Sequence, residues 1–288
     1  MISIVIPLYN KEKQITNTLC TVLQQTFQEF EVVIVNDGST DHSVEEVRKI
    51  QDERIRIIHQ KNMGVAAARN TGIREAKYDL IAFLDADDEW KPTYLEILYR
   101  LSQKFSECSV WACRYELKEP SGLKRLPVIR KLPFKKIGVL DNYFQVANCS
   151  NPPFFASSTM VNKLALQALG GFPIGVKSGE DLLTWARLAC KTKIAYTTEL
   201  LVTYHLGLSI PRPPEPTDIV GKELELLYVQ NGRLKELGLY VAYWYKMRMC
   251  RCLSHQMYMK ALIAFIKSMK YNPCQLKIYA SVLYYLFK

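Results

Sequence analysis

Phe30-Glu-Val-Val-Ile-Val35-Asn-Asp37-Gly-Ser-Thr-Asp41 decides the fold. Five of its first six residues are apolar and four of those are β-branched, the composition of a strand covered on both faces. Asn36-Asp37-Gly38 then stops the strand with turn-forming residues. Three more short runs repeat this plan: Ile2 to Pro7, Ile55 to His59 and Leu80 to Leu84. Helical periodicity fills the gaps between them, at 12–25, 43–50 and 64–76. Strands alternating with helices imply a parallel sheet with helices on its faces. Each strand also ends in polar residues: Tyr9-Asn10, Asn36-Asp37, Asn62-Met63-Gly64 and Asp85-Ala86-Asp87-Asp88. In open α/β sheets the ligand sits beyond the carboxyl ends of the strands, so these four ends mark the expected site.

Beyond residue 92 the pattern is mixed. A helix is expected at 92–106, a strand near 110–118, a Lys/Pro-rich loop at 119–137, and Gly/Pro punctuation as far as Gly179. Long loops of this kind suit an acceptor pocket. Pro211, Pro213, Pro214 and Pro216 then break the chain, and the remainder reads as three or four helices. The expected organisation is a half at 1–110 that carries the strand-end site, a second half of the same domain at 111–216, and a basic helical region at 217–288.

A chain of 288 residues with 49% hydrophobic content can bury a large core. Its first residues lack a basic leader, which points to the cytoplasm. The longest late apolar run, Ile278 to Phe287, falls short of the ~20 residues needed to cross a bilayer. The eight cysteines are scattered without CxxC spacing and read as reduced, mostly buried thiols; Asn148-Cys-Ser150 is a sequon without consequence in the cytoplasm. The formal charge of +10 is uneven, because no acid follows Glu236 while Lys246, Arg248, Arg251, Lys260, Lys267, Lys270, Lys277 and Lys288 do. A basic, aromatic-rich tail suits an anionic membrane surface. Within it, Leu262, Phe265, Ile266 and Met269 share one helical face and Lys260 and Lys267 another, which suits a helix packed on its neighbours with a basic outer surface, the commoner outcome, or one lying on a membrane.

Three clusters carry candidate chemistry. Asp37, where the second strand stops, can accept hydrogen bonds from a nucleobase or ribose; equally, Asp37-Gly38 forms a turn with Ser39 or Thr40 capping the next helix. Asp85, Asp87 and Asp88 crowd three carboxylates at a strand end, an arrangement that holds a divalent cation or simply makes a solvated acidic turn. Oxygen-only ligands favour Mn2+ or Mg2+. Ser178-Gly-Glu180-Asp181 opens an amphipathic helix and reads as a capping box, with the helix N-terminus keeping Asp181 ionised.

Six stretches together resemble the family 2 glycosyltransferases over residues 1–205. They are Val5-Ile-Pro7-Leu-Tyr9-Asn10, Val35-Asn-Asp37-Gly-Ser-Thr-Asp41, Asn62-Met-Gly64-Val-Ala-Ala-Ala-Arg69-Asn70-Thr-Gly72, Phe83-Leu-Asp85-Ala-Asp87-Asp88, Gly170-Gly-Phe172 and Gly179-Glu180-Asp181. The resemblance implies a GT-A type α/β fold and an inverting transfer from a nucleotide-sugar donor, a UDP-sugar being the commonest expectation. By the same resemblance Pro7, Tyr9 and Asp37 line the nucleotide pocket, Arg69 approaches the donor phosphates or holds the acidic loop, Asp85 faces the ribose and Asp87 ligates the metal. Asp88 and His205 are further metal candidates, His205 being equally an ordinary loop histidine. Asp181 matches the position of the base that deprotonates the acceptor hydroxyl, with Glu180 the second choice.

The Gln-x-x-Arg-Trp signature of processive members is absent, so a single sugar is expected, added to a glycan or lipid-linked acceptor in cell-surface polysaccharide synthesis at the inner face of the membrane. Asn151-Pro-Pro-Phe-Phe-Ala-Ser157-Ser158-Thr159 either faces the acceptor, stacking Phe154 and Phe155 on a sugar, or packs both rings into the core. Trp185 reads as core. Two competing readings are a catalytically degenerate nucleotide- or anion-binding module and a nucleotidyltransferase. The first has no use for the retained carboxylates, and clustered acids repel nucleic acid from the crevice. The second lacks its Gly-rich phosphate loop.

Overall fold

The computed structural model describes residues 1–149, 151–207, 214–215, 217–274 and 278. Ser150, Pro211, Pro213, Pro216, Lys277, Lys288 and the late apolar run beyond Ile278 lie outside the described residues. Two compact units emerge: Met1–Tyr143 with Ser150–Gly207, and Phe144–Cys149 with Leu208–Lys288.

The first unit begins as the alternation predicts: β1 (Ile2–Leu8), α1 (Ile15–Leu23), β2 (Phe30–Asp37), α2 (Ser43–Arg48), β3 (Ile55–Gln60), α3 (Val65–Glu75) and β4 (Leu80–Phe83). These strands lie parallel in the order β3-β2-β1-β4. Every residue of β2 is buried, which is why its sequence is a nearly unbroken apolar run. Helix α3 approaches β1 so closely that a Cβ on Gly72 would lie 2.2 Å from Val5 Cγ1.

After β4 the parallel run stops. The chain continues as β5 (Glu89–Trp90), α4 (Tyr94–Lys104), β6 (Cys108–Lys118), β7 (Lys124–Arg125), β8 (Ile137–Val139), α5 (Tyr143–Cys149), a 3₁₀ turn at Ala156–Ser158, β9 (Thr159–Asn162), α6 (Lys163–Ala168), α7 (Glu180–Lys191) and β10 (Lys193–His205). Strand β9 inserts antiparallel between β4 and β6, and β10 runs parallel to β6 while pairing antiparallel with β5 and β8. Phe154, Phe172 and Trp185 pack edge to face in the core, with centroids 5.7 and 5.8 Å from Trp185.

The second unit contains α8 (Ile219–Gln230), α9 (Lys235–Ser254) and α10 (Tyr258–Tyr271). Asp218 caps α8 by accepting from Gly221 N at 2.9 Å and also accepts from Trp244 Nε1 at 3.1 Å. The expected packing face of α10 is met only in part, with Phe265 and Met269 half-buried. Ala261, Ala264 and Ser268 are buried, whereas Met259, Leu262, Ile263 and Ile266 are exposed. Lys267, expected outside, instead lies 3.0 Å from Tyr245 Oη and 3.2 Å from Glu225 Oε1. Small residues let α10 sit close against α9, and that leaves its larger apolar side chains outward. Among the described residues no helix is long and apolar enough to cross a membrane. The eight cysteines are free, and only Cys108, Cys113 and Cys252 are buried.

Candidate functional site

The carboxyl ends of β1, β2 and β4 form one wall of the site. Beyond β1, Tyr9 is exposed and Asn10 takes a φ of 50°, a left-handed conformation that asparagine tolerates. Its amide oxygen accepts from Thr40 N at 2.8 Å, tying this end to the loop after β2. Pro7 sits within β1 beside Val35. Asp37 is buried at the tip of β2, accepting from Gln60 Nε2 at 2.7 Å, Met63 N at 2.9 Å and Gly64 N at 2.8 Å. It therefore fixes the loop that leads into α3 and keeps little acceptor capacity in reserve.

Arg69 projects from α3 into the middle of the site and is fully buried. Its Nη2 donates to Asp85 Oδ1 at 2.7 Å and its Nη1 to Glu180 Oε1 at 3.0 Å, while its guanidinium lies 5.2 Å from the Phe172 ring centroid. Burial alone would ease its deprotonation. The charges of Asp85, Glu180 and Asp181 more than offset this and hold it cationic. The neighbouring Asn70 both accepts from Phe172 N at 2.7 Å and donates to Phe172 O at 2.8 Å, locking the Gly170-Gly171-Phe172 turn under the arginine.

The three acids after β4 have three different surroundings. Asp85 faces Arg69. Asp87 is partly exposed, with Lys11 Nζ 2.5 Å from its Oδ2. Asp88 is completely buried, accepting from Ser157 Oγ at 2.6 Å and from His205 N at 3.1 Å. Burial, then the charges of Asp85 and Asp87, push its pKa well above the carboxylate range. Both of its oxygens tie the acidic loop to the 3₁₀ turn and β10, so Asp87 is the more open of these two candidate metal ligands. His205 has its Nε2 2.8 Å from Glu89 Oε1. Among the described residues no group of three His, Cys, Asp or Glu side chains is arranged to hold a metal.

Glu180 and Asp181 open α7, but not through the expected capping box: Gly179, at φ 88°, is the N-cap, without a side-chain cap. Glu180 is buried against Arg69, and Asp181 Oδ1 accepts from Leu182 N at 2.8 Å. Burial opposes the pull of the helix start on Asp181. Dense surroundings, then the adjacent Glu180 charge, push its pKa up to about 7, against the opposing pull of Arg69. Asp181 nevertheless keeps partial exposure. It opens on a cleft of about 310 Å³ that Arg69, Asp85 and Glu180 also line.

Across this cleft stand two residues that sequence reasoning missed, Tyr115 and Tyr204, beside one that it offered, Phe155. Tyr115 of β6, Phe155 and Tyr204 of β10 form an edge-to-face trio, Phe155 lying 4.8 Å from each of the other two. Burial pushes the Tyr204 hydroxyl up to about 12. The Asn151–Thr159 segment divides between its two readings: Phe155 and the largely buried Phe154 line the cleft, whereas Ser157, Ser158 and Thr159 are core. Lys11 was also missed, although its place immediately after Asn10 at a strand end is a usable signal.

The sequence model of Glycosyl transferase family 2 matches residues 3–163. The chain belongs to that family. It is 28% identical over 212 residues to glycosyltransferase GlyA of Streptococcus pneumoniae serotype 4, covering 71% of this chain and 30% of that one. It is 34% identical over 199 residues to an uncharacterised glycosyltransferase of Rickettsia felis, covering 67% and 31%. The chain thus spans about a third of the length of these relatives. Among solved structures, S. aureus TarS 1–349 in complex with UDP-GlcNAc matches with a TM-score of 0.70 at 18% identity, over 93% of this chain and 79% of that one. The TarS complex with UDP matches with a TM-score of 0.59 at 18% identity, over 95% and 92%. The fold of the chain is therefore GT-A, an α/β sheet flanked by helices, with a helical C-terminal segment.

Proposed function

We propose that this glycosyltransferase moves a single sugar from a UDP-sugar onto a hydroxyl of a glycan or lipid-linked acceptor, with inversion, and that Asp181 is the general base. One observation carries the reading: a half-buried carboxyl with a pKa of about 7 opens on the same cleft as Arg69 and Asp85. A base poised near neutrality is effective because it is both available and willing to take a proton. In the reaction the acceptor oxygen bonds to the anomeric carbon from the face opposite the diphosphate. The bond from that carbon to the diphosphate oxygen breaks, its electron pair leaves on the nucleotide, and the acceptor proton passes to Asp181.

Pro7, Tyr9 and Asp37 shape the nucleotide end in this reading, and Arg69 fixes Asp85 and Glu180 in place. Residues 1–110 serve the donor and 111–216 the acceptor, with the Tyr115, Phe155 and Tyr204 rings available to stack on a sugar. A Mn2+ or Mg2+ ion fits Asp87 in donor chemistry, because one or two carboxylates completed by substrate phosphate oxygens is a common set for such ions. The ion would neutralise charge on the departing diphosphate. Uridine is favoured over other bases by the TarS complexes, which hold UDP-GlcNAc and UDP; the transferred group is then a hexose or N-acetylhexosamine.

The role proposed is cell-surface polysaccharide synthesis at the cytoplasmic face of a membrane. The acid-free tail, with the exposed apolar face of α10, supports contact with an anionic surface. Calorimetric titration with uridine, guanosine and deoxythymidine diphosphates, each with manganese and with chelator, tests the donor. Metal-dependent binding of the uridine nucleotide alone is the expected result. Binding of none of the three would overturn the reading in favour of a degenerate module.

A further inference from the structure

Residues 119–137 join β6 to β8 within the first unit. They contain three dibasic pairs, Lys124-Arg125, Arg130-Lys131 and Lys135-Lys136, against the single acid Glu119, for a net charge of +5. All six cations are exposed. Between the pairs stand Leu123 and Leu126, 62% and 51% exposed, with Val128 and Ile137 also exposed. The backbone beneath is anchored at several points. Strand β7 pairs with β6, Val128 exchanges hydrogen bonds with Asn151 at 2.9 and 3.0 Å, and Asn142 Nδ2 donates to Lys131 O at 2.9 Å. The apolar side chains are thus held in water by a fixed backbone, at a cost that a monomeric surface seldom carries without use.

We infer that segment 119–137 is a docking surface for an anionic phospholipid bilayer, its cations meeting headgroup phosphates and Leu123, Leu126, Val128 and Ile137 entering the interface. Cations alone would equally suit a soluble polyanion. Exposed leucines interleaved with them favour lipid, because one electrostatic and one apolar signal together make stable membrane attachment. The segment follows directly on β6, whose Tyr115 and Leu117 line the cleft. A lipid-borne acceptor would thereby be presented next to Asp181, a consequence that rests on the proposed function; the docking itself does not.

The test is co-sedimentation of the full chain with vesicles of phosphatidylcholine, with and without phosphatidylglycerol. Wild-type protein should sediment with the anionic vesicles only. Lys135→Gln with Lys136→Gln should weaken that binding on the order of 30-fold, from the usual contribution of each surface cation. Leu123→Ser with Leu126→Ser should remove whatever binding survives in high salt. Thermal melts and nucleotide titrations of both variants should match wild type, which separates failure of docking from failure of the transferase reading. Wild-type affinity in the lysine variant, equal sedimentation with neutral vesicles, or full displacement by soluble polyphosphate with no effect of the leucine variant would each overturn the inference. Loss of binding in Lys260→Gln with Lys270→Gln, while the loop variants bind normally, would assign it to the tail and overturn it as well.

Discussion

Lys11 Nζ lies 2.5 Å from Asp87 Oδ2, so an ammonium joins the end of β1 to the acidic loop after β4. The pair is only partly buried, and its contribution to stability is correspondingly small. Its consequence lies in binding. If Asp87 holds a divalent cation as proposed, an ammonium there would compete for the same oxygen and would itself supply positive charge to a diphosphate. Lys11→Met should therefore increase the gain in nucleotide affinity conferred by manganese over chelator, on the order of tenfold, the worth of one hydrogen bond to a charged group. Paired titrations measure the ratio, and an unchanged ratio would separate Lys11 from the phosphate site.

Asp181 predicts a pH profile. With its pKa raised to about 7, transfer should decline as pH falls through neutrality and the base protonates. Asp181→Asn should lower turnover by roughly 10²- to 10⁴-fold and flatten that limb while leaving nucleotide affinity nearly intact. Stability should move the other way. The folded carboxyl binds its proton more tightly than the unfolded one, whose pKa is near 3.8, so its stabilising effect is full below that value and is lost as pH rises through about 7. The melting temperature of Asp181→Asn should exceed wild type more at about pH 8 than at about pH 5. A difference independent of pH would show that the carboxyl is not perturbed.

Arg69 predicts two linked effects. Its guanidinium compensates Glu180 and Asp85 inside the protein, and removing one partner of a buried pair leaves uncompensated charge. Arg69→Met should cost about 3–5 kcal/mol of stability in a denaturant titration. Because Arg69 is also what pulls the Asp181 pKa down, the acid limb of the rate profile should shift to higher pH in the variant. A destabilised variant with an unmoved limb would place Asp181 outside the electrostatic reach of Arg69.

What was legible in the chain follows from period and punctuation. The strands of the parallel half announce themselves because each is buried on both faces and stops in turn residues, and every one begins within a residue of where the apolar run begins. The insertion of β9 between β4 and β6 was not legible, since antiparallel pairing over long sequence separation leaves no local mark. The acids of the site were found by their motifs, but their environments were not. Asp87 and Asp88 are neighbours in sequence, yet one faces Lys11 and the other is sealed beneath Ser157 and His205. Tyr115 and Tyr204 were missed because an aromatic residue on a strand looks the same whether it faces a core or a cleft. For α10 the larger apolar residues were assigned to the packed face, whereas closeness to α9 selected Ala261, Ala264 and Ser268.

Gly72 offers a test of the helix-to-strand contact that carries Arg69. A Cβ there would lie 2.2 Å from Val5 Cγ1, deep in the sheet. Gly72→Ala should destabilise the protein by about 1–3 kcal/mol, the usual cost of overpacking. Val5→Ala in the same chain should recover part of that loss, because it removes the clashing methyl. Additive losses in the double variant would mean that α3 and β1 do not meet in this way.

Asp88 separates a structural carboxylate from a metal-binding one. Asn keeps its size and its acceptor oxygen for Ser157 or His205, and it removes a buried carboxyl whose ionisation is strongly disfavoured. Asp88→Asn should therefore fold and should leave manganese-dependent nucleotide affinity within about twofold of wild type, surface and non-contacting substitutions being small in effect. Asp87→Ala should weaken the same affinity by tenfold or more, on the order of one lost charge-assisted contact. Calorimetry on the two variants, with circular dichroism to verify folding, decides between them. If Asp88→Asn abolished metal-dependent binding while Asp87→Ala spared it, the ligand would be Asp88, and the acidic loop would have to open away from Ser157 to bind the ion.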